Sequence, residues 1–400
     1  MRRSAARRST PRPHHRAAAL TGAALVTAAA TAVVRRRSRG GVRNPAAEPA
    51  RSRPAPVRGH ERTVTTEDGV DLHVEEHGPA GDDAAAVLVL AHGYTQASRL
   101  WNGTVRDLLA ARPDLRVVVY DHRGHGRSGR ATQDSATLEQ LGRDLAVVVE
   151  AVSGDLPVLL GGHSMGGMTI MALAEARPDL LADRVAGVAF VGTSAGELAA
   201  VGWGLPRPLV PVFKKLLPRA NELAWKAEQK GRARTQIAWF EAFVNFSAGA
   251  DPADVQDVLE VQKQCSAETM HFFLATFAGH DRLEALATIG DVPVLVVVGE
   301  DDRLCPVAHS RRLAEALPGA ELVVFPGAGH MVHLERRPEV SRHLARLVDR
   351  ALAARRTTGA AYPAAGLNRG PGQPASASRS AILETPLTRS SSPRAYDSRK

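Results

Sequence analysis

Ser164 stands with glycine two residues to either side, in Gly162-His163-Ser164-Met165-Gly166. The pattern follows an apolar run, Pro157–Gly161, and opens a helical pattern. Small residues at those two places let the backbone turn sharply from strand to helix and hold a serine exposed at the bend. The bend also sets the hydroxyl near a helix N-terminus, whose unpaired N–H groups favour developing negative charge. A serine hydroxyl is a poor nucleophile at neutral pH and needs a base to take its proton. His330 fits that task, at the end of Gly327-Ala328-Gly329-His330 on the loop after the Glu321–Phe325 run. Its two glycines let the loop carry the imidazole over the sheet edge. His333 is the rival, three residues on, but it falls inside a helical pattern. The base in turn needs a carboxylate to fix its tautomer and stabilise the imidazolium. Gly299-Glu300-Asp301-Asp302 offers three acids after the Pro293–Val298 run. Asp302 is chosen because it lies deepest in the turn that Pro306 closes, with Asp301 second.

An acyl-transfer intermediate also needs two backbone N–H donors for its oxyanion. Met165 supplies one by following the nucleophile. The second is expected from His92-Gly93-Tyr94-Thr95, after the Ala86–Ala91 run, with Tyr94 N–H preferred. The Gly-rich segment Asp121-His122-Arg123-Gly124-His125-Gly126-Arg127-Ser128 is expected to brace neighbouring loops. His92, His125 and His163 are expected to organise loops rather than transfer protons.

The elements that must position these groups are legible as an alternation. Arg62–Glu67 and Asp71–Glu76 alternate like a hairpin turning at Asp68-Gly69. Then come short, nearly continuous β-branched runs at Ala86–Ala91, Arg116–Tyr120, Pro157–Gly161, Val185–Val191, Pro293–Val298 and Glu321–Phe325. Such runs are expected of parallel strands buried on both faces. Helical patterns lie between them at 97–112, 137–153, 165–177, 307–317 and 333–352. The reading is α/β: a doubly wound, mostly parallel sheet with an antiparallel first hairpin and ligands at the carboxyl ends of the strands. Residues 196–281 break the rhythm and are expected to form a helical cap. They hold Trp203, Trp225 and Trp239 and seven of the nine Phe, some of which should line a pocket and the rest pack the cap itself.

At this point the blocks resemble the α/β-hydrolase superfamily. The carriers are HGY at 92–94, DHRGHGRS at 121–128, GHSMGG at 162–167, GEDDRLCP at 299–306 and GHMVHLERRP at 329–338, in the usual order. The resemblance implies an eight-stranded central sheet and the triad argued above. The serine nucleophile is similar to that of esterases, monoacylglycerol lipases and lysophospholipases. Relatives that dehalogenate or open epoxides place Asp there, so Ser164 argues against both.

Charge is divided unevenly along the chain's net +9. Residues 1–60 carry fourteen Arg against Glu48 alone, and residues 355–400 carry eight basic and two acidic side chains. The body between them is therefore acidic, without the basic footprint that nucleic acid requires. The domain reading is a basic N-terminal tail and linker (1–60), a hydrolase core (61–195 and 282–354), the cap (196–281) and a basic, disordered tail (355–400). With only Cys265 and Cys305, no disulfide framework is indicated, and no Cys/His cluster has metal-ligand spacing. Neither metal nor cofactor is expected. Residues 17–34 are eighteen consecutive uncharged, mostly small residues, which reaches the lower limit for a spanning helix. The expectation is a membrane-anchored chain, the alternatives being secretion after signal cleavage or a cytoplasmic extension.

The function expected is a serine hydrolase cleaving carboxylic esters, lipid-like acyl esters in particular, through an acyl-enzyme. A thioesterase, a C–C bond hydrolase or a cofactor-free perhydrolase would use the same triad. A binding protein that keeps the fold as a ligand pocket is the alternative of another class.

Overall fold

The computed structural model describes residues 57–231 and 238–358. Its centre is an eight-stranded sheet ordered β1-β2-β4-β3-β5-β6-β7-β8. The strands are β1 (His60–Thr65), β2 (Asp71–His77), β3 (Ala86–Ala91), β4 (Leu115–Tyr120), β5 (Val158–His163), β6 (Val185–Val191), β7 (Val294–Gly299) and β8 (Glu321–Phe325). β2 runs antiparallel to β1 and β4, and the remaining pairings are parallel. This is the doubly wound, mostly parallel α/β architecture that the sequence indicates.

Every residue of β3 to β7 is buried, which is why those stretches, Arg116 and His163 apart, are apolar rather than alternating. The two-residue period still decides which face each side chain joins. Val87, Val89 and Ala91 pack on one side with Leu145 and Val149 of α2 (Leu138–Ser153) and Ile170 and Leu173 of α3 (Met165–Ala176). Ala86, Leu88 and Leu90 pack on the other, with Val105 and Leu108 of α1 (Asn102–Ala111) and Leu344, Leu347 and Val348 of α11 (Arg337–Thr358). β3 is the point where the winding reverses, since β4 lies to one side of it and β5 to the other. The crevice at the carboxyl ends of such strands is where open α/β sheets bind ligands.

Proline accounts for two departures from the expected helices, an added helix and a split one. Pro178 ends α3 and also opens α4 (Pro178–Arg184), because a proline at the first helical position loses no hydrogen bond. The helix expected over 333–352 is instead α10 (Val332–Glu335) followed by α11. The break falls at Arg336, just before Pro338, whose ring disfavours continuation through the preceding turn.

Between β6 and β7 the chain forms α5 (Val210–Glu228), α6 (Ala238–Asn245), α7 (Pro252–Gln264) and α8 (Ala267–Leu274); α9 (Val307–Ala316) follows β7. The aromatics of this insertion divide between roles. Phe246 and Phe273 are buried, while Phe272 and Phe277 are partly buried against the cluster that holds Met165, with Phe277 edge-on to Tyr94. Phe213 meets Trp203 and Phe240 ring to ring.

The expectation of a membrane-anchored chain is corrected: among the described residues no helix is long and apolar enough to cross a membrane. The longest helices show why. α5 carries Lys214, Lys215, Arg219 and Lys226, and α11 carries Arg342, Arg346, Asp349 and Arg350. The apolar segment 17–34 and the basic tail from 359 lie outside the described residues.

Candidate active site

β5 ends at His163 and α3 begins at Met165, so Ser164 alone makes the bend. It does so with φ 52° and ψ −116°, a conformation that L residues rarely adopt and that strains the backbone. The flanking glycines are required by contact. A Cβ on Gly162 would sit 2.4 Å from the backbone of Gly166, and one on Gly166 would sit 2.3 Å from Ala91 O. The elbow is thus pressed against the end of β3. Ser164 N–H donates to Val191 O at the end of β6, and Thr193 Oγ1 donates to Ser164 O. The Ser164 side chain is partly exposed, with no hydrogen bond to its hydroxyl among the described residues. Nucleophile–base contacts of this kind are often loose before substrate binds.

His330 and Asp302 are both buried, and they meet. His330 Nδ1 lies 2.9 Å from Asp302 Oδ2. The other carboxylate oxygen, Oδ1, accepts the N–H groups of Leu304 and Cys305, both at 2.8 Å, so the acid is held from both sides. That leaves His330 Nε2 as the ring atom available to a serine proton. Gly192, immediately after β6, marks how closely these parts converge. A Cβ there would lie 3.1 Å from His330 O, 3.4 Å from Asp302 Oδ2 and 3.6 Å from the His163 ring.

The rivals are separated from this arrangement. Asp301 is exposed, and its N–H donates to Ala328 O. His333 is buried with neither ring nitrogen bonded, packed against Trp101 and His163. Burial pushes its pKa down to about 3, so it is a neutral packing group.

Met165 N–H is at the first position of α3, where no intrahelical acceptor exists. In the loop after β3, the N–H groups on either side of Tyr94 are committed: Gly93 donates to Gln96 Oε1, and Thr95 donates to His125 Nε2. The Tyr94 hydroxyl donates to Met270 O of α8 at 2.5 Å, which fixes the side chain towards the insertion.

Three imidazoles, His92, His122 and His125, hold this loop, and the hydrogen bonds of His92 and His125 require those two neutral. His92 Nε2 accepts from His122 N–H, and its Nδ1 donates to Gly93 O. His125 Nε2 accepts from Thr95 N–H, and its Nδ1 donates to Arg123 O. Burial lowers the pKa of all three, His125 to about 3. Arg123 braces the same loop from beneath through paired bonds to Asp144 and Asp68.

Tyr94, Met165, Met168, Leu198, Phe272, Phe273 and Phe277 belong to one apolar cluster beside the elbow. A separate surface cavity of about 640 Å³ lies between the start of α2 and α8, lined by Thr137, Glu139, His271, Phe272 and Thr276. Ser164 is not among its lining residues, so chemistry rather than cavity size places the candidate site.

An open, mostly parallel sheet of eight strands with a serine elbow after β5 defines an α/β-hydrolase of the serine type. The family model for serine aminopeptidases, S33, matches residues 82–337, more than half of the chain, and the chain belongs to that hydrolase family. A protein of Caulobacter sp. (strain K31) bearing the name "Putative carbamate hydrolase RutD" is 31% identical over 261 residues, covering 65% of this chain and 88% of the relative. The bifunctional esterase/perhydrolase DCH of Acinetobacter calcoaceticus is 29% identical over 270 residues, covering 67% and 92%. A monoacylglycerol lipase of Mycolicibacterium smegmatis is 30% identical over 261 residues, covering 63% and 84%. Among solved structures, the enol-lactonase of Burkholderia xenovorans LB400 superposes with a TM-score of 0.58 at 24% identity, covering 72% of this chain and all of that one. At that identity the likeness speaks for the fold.

Proposed function

We propose that this hydrolase cleaves carboxylic esters through an acyl-enzyme. The single observation that carries the reading is the 2.9 Å bond between His330 Nδ1 and Asp302 Oδ2, beside a serine held in a strained elbow. Ser164 Oγ attacks the ester carbonyl as His330 Nε2 takes its proton. The carbonyl oxygen becomes an oxyanion facing the N–H groups of Met165 and Tyr94. Collapse of this intermediate breaks the bond to the alkoxy oxygen, which receives the proton from His330 and leaves as the alcohol. Water then attacks the acyl-enzyme with His330 again as base, releasing the acid and restoring Ser164. Each oxyanion donor is expected to contribute about 3–4 kcal/mol in the transition state.

The insertion at 196–281 serves as a cap in this reading. The cluster of Tyr94, Met165, Leu198, Phe272 and Phe277 gives the acyl group an apolar wall, which favours lipid-like acyl esters over polar ones. Relatives named as esterase and monoacylglycerol lipase are in keeping with that class. The test is labelling of the full chain with a fluorophosphonate, beside Ser164→Ala, and turnover of p-nitrophenyl esters from C2 to C16. Labelling lost in the variant and turnover peaking at one acyl length are expected. A folded wild-type protein that neither labels nor hydrolyses any ester of the series would refute the reading.

A further inference from the structure

The loops that carry Asp302 and His330 touch each other directly, through Asp301 N–H to Ala328 O. They are also bound to a third piece of chain that belongs to neither. This is the turn Phe243–Ser247, where α6 ends inside the insertion. On the acid side, Arg303 Nη1 donates to both Phe243 O and Phe246 O at 2.8 Å, with its guanidinium 4.5 Å from the centre of the Phe243 ring. A cation on the last carbonyls of a helix is favoured there by the helix dipole. On the base side, Met331 N–H donates to Asn245 O at 2.9 Å. Glu335 completes the join with one oxygen on each piece: Oε1 accepts Gly329 N–H at 2.8 Å, and Oε2 accepts Ser247 N–H at 3.1 Å. The two backbones meet without space for a side chain, since a Cβ on Gly329 would lie 2.6 Å from Phe246 C and Ser247 N.

The peptide N–H groups immediately before and after His330 are therefore both fixed by this turn or by Glu335, and the residue after Asp302 is fixed by the same turn. We infer that the Phe243–Ser247 turn of the insertion sets the geometry between Asp302 and His330, with Arg303 and Glu335 as its positioning residues. The inference rests on the triad proposed above. It gives the insertion a second task beside covering the pocket: chemistry at the sheet depends on a segment outside the sheet. Neither residue touches the reacting atoms. Their effect is expected on the chemical step rather than on substrate binding, because a misplacement of about 1 Å can lower a rate by about 100-fold.

The experiment compares full-length wild type with Glu335→Gln, Arg303→Met, Arg303→Lys and the double variant Glu335→Gln/Arg303→Met. Rates are expressed per active site by fluorophosphonate titration, so loss of folded protein does not enter. Glu335→Gln keeps shape but turns an NH₂ donor towards one of the two N–H groups. Arg303→Met keeps the stem and removes both donors. Each is expected to lower kcat by roughly 10- to 100-fold with KM little changed. Arg303→Lys, with one donor group retained, should recover part of the rate. Because both residues act through one turn, the double variant should lose less than the product of the single losses. Wild-type kcat in the single variants would overturn the inference, as would a change confined to KM or fully multiplicative losses. A wild-type protein that fails to label refutes the triad reading itself, an outcome distinct from these.

Discussion

His163 Nε2 donates to His330 O at 3.0 Å, and the two rings lie 4.8 Å apart. The residue just before the candidate nucleophile thus holds the backbone of the candidate base. Its other nitrogen, Nδ1, lies 3.1 Å from Gln96 Oε1, the oxygen that accepts Gly93 N–H in the oxyanion loop; with the ring's one proton on Nε2, that approach is packing rather than a hydrogen bond. One buried imidazole therefore ties the elbow to the base loop and packs against the loop after β3. Burial holds its pKa well below the usual histidine range, so it serves as a fixed neutral strut rather than a proton carrier.

Replacing that strut by a ring without nitrogens should separate packing from hydrogen bonding. His163→Phe leaves His330 O buried without a partner, which costs about 1–3 kcal/mol. We expect that loss in urea unfolding, and about a 10-fold lower kcat because His330 shifts relative to Ser164. Unchanged turnover in a variant destabilised by that amount would assign His163 to stability alone.

Asp302→Asn tests the orienting role of the acid. The amide oxygen can still accept from Leu304 and Cys305 N–H, as the carboxylate does, so the fold should persist. Its NH₂ would then face His330 Nδ1 and favour the tautomer with the proton on Nε2, where it cannot accept from serine. A fall in kcat of about 10³- to 10⁴-fold is expected from steady-state ester turnover, with thermal stability little altered. Asp301→Asn, at an exposed position, should leave kcat unchanged.

Much of this site was legible in the sequence because its chemistry is local. Ser164 declares itself by two glycines that contact geometry demands, and His330 and Asp302 by loops that follow strands. Strand identity was equally plain, since burial on both faces writes continuous β-branched runs. The sequence concealed the residues that act at a distance. Gln96, Arg303 and Glu335 lie beside recognised motifs, yet their partners are 67, 57 to 60 and 88 residues away, and no spacing rule encodes such pairings. The split of the last helix was missed for a different reason. The helical pattern over 333–352 carries no gap at Arg336, and the break comes from Pro338, which cannot donate back into the turn before it.

The elbow makes a prediction about strain. Ser164 sits at φ 52° and ψ −116°, at a cost of about 1–3 kcal/mol for a residue with a Cβ. Glycine relieves that strain but loses about 0.4–1 kcal/mol through the freer unfolded chain. Ser164→Gly should therefore unfold at higher urea than Ser164→Ala, by about 1 kcal/mol, although both are inactive. Equal midpoints would show that the surrounding backbone, rather than the residue at the bend, carries the strain.

The buried imidazoles also set the acid stability of the fold. Burial pushes both His125 and His333 down to about 3, whereas an unfolded histidine titrates near about 6.5. Between those values the unfolded chain binds protons that the folded chain refuses, so stability is full above pH 6.5 and declines as pH falls towards 3. Each such histidine contributes a slope of up to about 1.4 kcal/mol per pH unit in that window. For His333 the burden brings no hydrogen bond in return, since both nitrogens lack partners against Trp101. His333→Phe should therefore flatten the acid limb of the unfolding free energy by that slope, and gain stability at pH 4.5 relative to pH 7.5. His125→Phe should flatten it too, but with lower ester turnover, because Thr95 N–H would lose its acceptor in the oxyanion loop. A limb of unchanged steepness in His333→Phe would mean that this ring already takes up its proton while the chain is folded.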